Sequence, residues 1–208
     1  MQTRPLLLTT TLLGAWLVGC GEPASLRSAT EDFPMTQPAG DRVVFDFAHP
    51  EAAGDWQAVN DTVMGGVSQS AMVTTGAGAA FEGVLSLENF GGFATVRCAP
   101  GRYDFGKYDG LAVRFRGDGR NYTLFLKTNA RDDGYQYQAD VATRRGGWQT
   151  VRVAFRDFRP HWRGMHLALW PRLDARKVRS LGFMIADKQA RPFRLEIERI
   201  TAYRAQEG

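Results

Sequence analysis

Three histidines, His49, His161 and His166, are the first residues to test for metal or acid–base chemistry. A zinc site needs three or four converging ligands at recognisable spacing. His161 and His166 lie five apart with no accompanying Cys or carboxylate pattern, so they read as surface or loop histidines, and neither metal nor cofactor is expected. Two carboxylates facing each other across a cleft could hydrolyse a sugar bond. Glu82, Glu88, Asp140, Glu196 and Glu198 are available. Spacing alone sets no two of them opposite each other, and Glu196 and Glu198 share one strand face, which suits pairing to cross-strand arginines. No G-x-S-x-G elbow, P-loop or dinucleotide fingerprint occurs, and Gly76-Ala77-Gly78 lacks the third glycine and the following helix. The chain reads as non-catalytic.

Two polar segments stand out. The first runs from Trp56 to Ser70 and holds Asn60, Asp61, Met64, Gly65, Gly66 and Ser68. Asn and Asp side chains bond nearby amides, and paired glycines permit positive φ or close backbone approach. The segment is therefore either a rigid shelf for a partner or a long ordered turn leading into SAMVTT. The second, Ala186 to Phe193, contains Asp187, Lys188 and Gln189 and ends at Pro192; it reads as a polar loop between two strands. Trp162, Trp170, Tyr135 and Tyr137 could form a platform for sugar rings, or they could be core. Cys98 closes the apolar segment GFATVRC and reads as a buried small hydrophobe.

These segments must be positioned by strands. From Arg42 onward apolar and polar residues alternate in short runs separated by Gly, Asp and Asn, the pattern of an antiparallel sandwich. Leu111, Val113 and Phe115 alternate with Ala112, Arg114 and Arg116, and Phe193, Leu195 and Ile197 with Arg194, Glu196 and Glu198. Apolar side chains should point inward and charges outward. About ten strands are expected, with helix confined to a turn or two over Leu173–Val178 opened by Asp174. No βαβ succession or long repeat is visible. An all-β jelly-roll sandwich over residues 42–204 is the economical answer, in a chain of 208 residues that is 44% hydrophobic and 23% charged, close to the average for a folded domain.

The amino end predicts the compartment. Arg4 precedes an apolar run from Leu6 to Val18, shorter than the roughly 20 residues of a membrane span, which reads as a secretory signal over residues 1–19. It ends in Leu17-Val18-Gly19-Cys20, which resembles the bacterial lipobox, so Cys20 is expected to be acylated and to moor the protein to a membrane. Gly21 in place of Asp leans towards the outer membrane of a two-membraned envelope. Residues 20–41 then form a flexible acidic tether, with a net charge of −3 over residues 21–41 against +6 for residues 42–208, and residues 205–208 are a tail. The basic residues, 22 Arg and 4 Lys, are dispersed along alternating strands. A contiguous phosphate footprint is missing, so nucleic acid is not an expected partner; anionic lipid heads or acidic polymers stay open.

VNDTVMGGVSQS, GGFATVR, GWQTVRVAFRDFRP and RSLGFMIADKQARPFRLEIERI follow one another across nearly all of residues 43–202. In this the chain resembles the complex I intermediate-associated protein 30 family. The resemblance implies a galactose-binding-domain-like jelly roll and, by analogy with the mitochondrial member, a non-enzymatic role in assembling NADH:ubiquinone oxidoreductase. It places Asn60, Asp61, Met64, Gly65, Gly66 and Ser68 in one motif and Ala186, Asp187, Lys188, Gln189, Pro192 and Phe193 in another; Arg191 stands where glycine is usual. An exported chain could reach only outward-facing parts of membrane proteins. The expected function is thus a binding or assembly-factor-like module contacting a membrane or envelope protein. A carbohydrate-binding module of the envelope is the alternative, and an envelope-polymer hydrolase a second one.

Overall fold

Alternation at period two obliges each strand to bury one face, and the computed structural model, which describes residues 40–129 and 134–205, builds thirteen strands on that rule. The chain lays down β1 (Arg42–Asp46), β2 (Trp56–Asn60), β3 (Gln69–Thr75), β4 (Gly78–Val84) and β5 (Ala94–Cys98). There follow β6 (Gly110–Arg116), β7 (Asn121–Lys127), β8 (Gln136–Ala142) and β9 (Gln149–Ala154). The last four are β10 (Arg159–Trp162), β11 (Met165–His166), β12 (Ser180–Ile185) and β13 (Pro192–Tyr203). The signal, Cys20 and nearly all of the tether lie outside the described residues.

The strand count corrects the ten expected. β2 lies inside the polar motif segment, β10 contains Pro160, and β11 is two residues long, so none of them shows a period-two run. After β9, Phe155 opens a short 3-10 turn. The described helical segments are all 3-10, including Ala175–Lys177, where Asp174 accepts the Arg176 N–H as a cap.

One sheet has the order β3-β4-β13-β6-β9, with β1 also on β13; the other has the order β11-β10-β8-β7-β12-β5-β2. The named pairings are antiparallel, and the two inner faces meet in one core containing Phe81, Val96, Leu111, Val113, Phe115, Leu124, Leu126, Phe183, Leu195 and Ile197. This is a jelly-roll β-sandwich.

β13 binds the first sheet together. Its first half pairs with β4 and its second half with β1, while β6 runs along the other side. A register shift between Ile197 and Arg199 makes Glu198 a bulge. An extra residue reverses the parity of a strand, so the inward set changes from Phe193, Leu195 and Ile197 to Ile200 and Ala202, all buried. Outward charges are not all exposed: Glu196 is buried beneath Arg116 and Thr75.

Register assigns the loops to two ends. Segments 61–68, 85–93, 117–120, 143–148 and 186–191 share one, here the motif end. Segments 99–109, 155–159 and 163–179, with the chain entry at 40–42 and exit at 203–205, share the other, the entry end.

Candidate functional site

At the motif end β2 delivers Asn60, and the chain turns through a 3-10 segment, Asp61–Met64, that stops at Gly65 with φ 93°. Asp61 is fully buried. Its carboxylate accepts the Ser68 N–H at 2.9 Å, the Ser68 hydroxyl at 2.6 Å, the Gly92 N–H at 2.7 Å and the Phe93 N–H at 3.3 Å. Burial pushes this carboxyl up, but the Ser68 hydroxyl and the Gly92, Ser68 and Phe93 amides together outweigh it and hold the group below its ordinary value. Two glycines make room for the anion. A Cβ on Gly66 would sit 2.5 Å from Oδ1 and one on Gly91 2.6 Å from Oδ2. Ser68 Oγ also accepts the Ser86 N–H at 3.0 Å, and Asn60 Oδ1 accepts the Ser70 hydroxyl at 2.6 Å. Asp61 is thus a clamp joining loop 61–68 to loop 86–93, and its oxygens are occupied by the fold itself.

The outer side of the clamped loops is apolar. Val63 is 70% exposed, Met64 60%, Leu87 45% and Phe90 fully. Asn89 and Phe90 hold φ of 54° and 60°, a left-handed conformation that is costly for a side chain such as Phe. The fold accepts that cost while Phe90 makes no use of burial.

The second motif reaches the same end through a residue that sequence reasoning did not select. Arg120 is buried, and its guanidinium grips Asp187 with Nε at 2.9 Å and Nη2 at 2.6 Å. It also donates to the carbonyls of Gln189, Arg191 and Pro192. Burial raises the Asp187 carboxyl, and Arg120 more than offsets this, leaving it below its ordinary value. Gln189 donates through its backbone N–H and Nε2 to the same carboxylate, while Lys188, at φ 60°, points a charge into solvent. The two motifs meet at adjacent residues: the Leu85 N–H donates to Arg191 O and the Ser86 N–H to Ser68 Oγ. An open groove of about 670 Å³ beside them is lined by Ser70, Val84, Asp118 and Pro192, among others.

A signal for Arg120 does exist. It shares the inward parity of Tyr122, Leu124 and Leu126, and a charge at a core position requires a buried partner.

The aromatic candidates lie towards the entry end. Tyr137 is buried, its hydroxyl donating to Pro171 O at 3.1 Å. Tyr135 meets Tyr137 and Trp170 edge-on, at 5.7 and 5.1 Å between centroids. Trp170 is half exposed; Trp162 stands on the β10–β11 hairpin with the Arg163 guanidinium 5.0 Å above its ring. His161 and His166 are cross-strand partners on that hairpin. Glu196, Glu198 and Glu82 pair with Arg116, Arg114 and Arg194, and among the described residues no group of three or more His, Cys, Asp or Glu is arranged to hold a metal.

Residues 45–197 match the family model described as complex I intermediate-associated protein 30. The mitochondrial protein of that name from Neurospora crassa is 27% identical over 205 residues, covering 78% of this chain and 73% of its own length. Its counterpart from Drosophila melanogaster is 29% identical, with 78% and 62% covered. Among solved structures, a family 11 carbohydrate-binding module from Clostridium thermocellum, in complex with a β-1,3-1,4-mixed-linked tetrasaccharide, superposes with a TM-score of 0.60 at 17% identity, over 83% of this chain and all of the module. The agarase AgWH50C aligns over 80% of this chain but 25% of its own, with a TM-score of 0.56 at 12% identity. These structures share the galactose-binding-like jelly roll.

Proposed function

The chain belongs to the complex I intermediate-associated protein 30 family, and from that premise we propose that it is a non-catalytic, assembly-factor-like module whose motif end docks an apolar stretch of a membrane or envelope protein. The relatives' name, complex I intermediate-associated protein, supports an assembly role. The observation that carries the reading is the Asp61 clamp, which holds Val63, Met64, Leu87 and Phe90 out in water on a backbone it makes rigid. Large apolar side chains exposed together on ordered loops favour association, because covering them removes apolar area from water with little ordering cost. Acylated Cys20 would tether the module at an extracytoplasmic membrane surface, that of the outer membrane where there are two.

A photo-crosslinking residue in place of Phe90 should capture one discrete membrane protein. Met64→Asp should abolish capture in a folded protein, and Leu169→Asp, at the other end, should not. Equal capture in all three proteins, or none in any, overturns the reading. Mass spectrometry of the mature amino terminus tests the anchor by the added mass on Cys20.

A second reading, binding of carbohydrate, is favoured by the Tyr135–Trp170 pair and Trp162. Glycan-array binding lost in Trp170→Ala, with Met64→Asp unaffected, would replace the first reading with this one.

A further inference from the structure

We propose that the entry end is a second surface, one that rests on the anionic headgroups of a bilayer. Dispersed in the sequence, basic residues gather here. Among the described residues, segments 40–42, 99–109, 155–159, 163–179 and 203–205 bring eleven Arg and Lys to this end, against six Asp when Asp55 beside Ala99 is included. The loops of the motif end bring five against four.

Four of the six acids are also engaged within the fold. Asp174 holds Arg176 and Lys177, while Asp41, Asp104 and Asp109 accept the N–H groups of Arg204, Gly106 and Ala205. Two guanidiniums are held in place by rings: Arg42 lies over Phe105 and Tyr108, and Arg204 over Tyr108. Fixed cations lose little freedom when they meet a charged surface.

The second observation is apolar. Met165, Leu169 and Trp170 are 57%, 102% and 47% exposed on the same rim. Segment 170–179 runs from them across the end to Phe105, whose N–H donates to Ala175 O. Basic residues interleaved with exposed Trp, Leu and Met suit a headgroup layer, where cations meet phosphate and Trp settles at the interface. The chain enters the domain at Gly40–Arg42 on this end, and acylation of Cys20 is a separate question. The inference does not require an acyl anchor. With the entry end down, the 12 residues of β13 set the motif end about 40 Å above the headgroups at roughly 3.3 Å per residue.

The test is co-sedimentation of the full, unacylated chain with phosphatidylcholine vesicles, plain or doped with phosphatidylglycerol, at low and high salt. Doping should raise partitioning by about tenfold or more at low salt, and high salt should remove the gain. Lys107→Glu/Arg156→Glu/Arg172→Glu should abolish the gain, and Trp170→Asp should weaken it. Arg144→Glu/Arg145→Glu, at the motif end, should leave it unchanged, each variant being checked by its thermal melt. Equal binding to both vesicles overturns the proposal, as does equal loss from either end. So does binding to heparin without binding to doped vesicles. Acylation of Cys20 is read separately by mass, so failure of one leaves the other standing.

Discussion

Asp61 acts as a structural anion, because its four hydrogen bonds are all spent on holding two loops together. Asp61→Ala leaves Ser68 and the Gly92 and Phe93 amides without their acceptor, and should lower unfolding free energy by about 3 kcal/mol in urea titration. The pH dependence follows in sign. A carboxyl whose folded value lies below its ordinary 3.8 contributes stability that is complete above that ordinary value and is lost as pH falls through the folded one. Asp187 and Glu196, depressed likewise, add in the same direction. Stability should therefore fall between about pH 5 and pH 2, and Asp61→Asn should flatten that slope. Arg120→Lys tests the second anchor. A lysine is a point charge that cannot span Asp187 and three carbonyls at once, so a loss of about 3 kcal/mol is expected in the same measurement. Arg120 was legible only as a parity violation, since nothing in the sequence says which distant acid answers it.

At the scale of elements, the long alternating strands were legible because each shows several inward positions in a row. β2, β10 and β11 were not, since two to five residues with polar or Pro content carry no period, and they form because a longer neighbour already offers hydrogen-bonding groups along its edge. The bulge in β13 was hidden for another reason: continued alternation would have placed Arg199 and Thr201 inward, and only pairing with β6 shows the slip. Deleting Glu198 should remove the bulge and leave simple alternation, with Arg199 and Thr201 outward and Ile200 and Ala202 still inward. The expected result is a protein that still folds and melts cooperatively; loss of cooperative melting would refute this account of Glu198 as an extra residue. In the clamped loops, Phe90→Asp removes no burial and should leave stability within about 0.5 kcal/mol, while abolishing capture from Met64 replaced by a photo-crosslinker.

Over the whole molecule, Cys98 reports on the integrity of the sandwich. It is buried against Leu181 and Tyr103, and burial pushes its thiol up, so little thiolate is available to react. Site-resolved alkylation of Cys98 should track urea unfolding and show no faster phase; rapid labelling in native buffer would mean that the far edge of β5 opens independently.

Class of fold and family were determined by the amino-acid sequence alone, since periodicity and an ordered set of motifs are local properties written along the chain. Which end of the sandwich carries charge and which carries exposed apolar side chains was decided only by tertiary structure. Strand register brings Arg42, Lys107, Arg156 and Arg172 together from four distant segments, and it folds Asp61 over two loops so that Met64 and Phe90 face water.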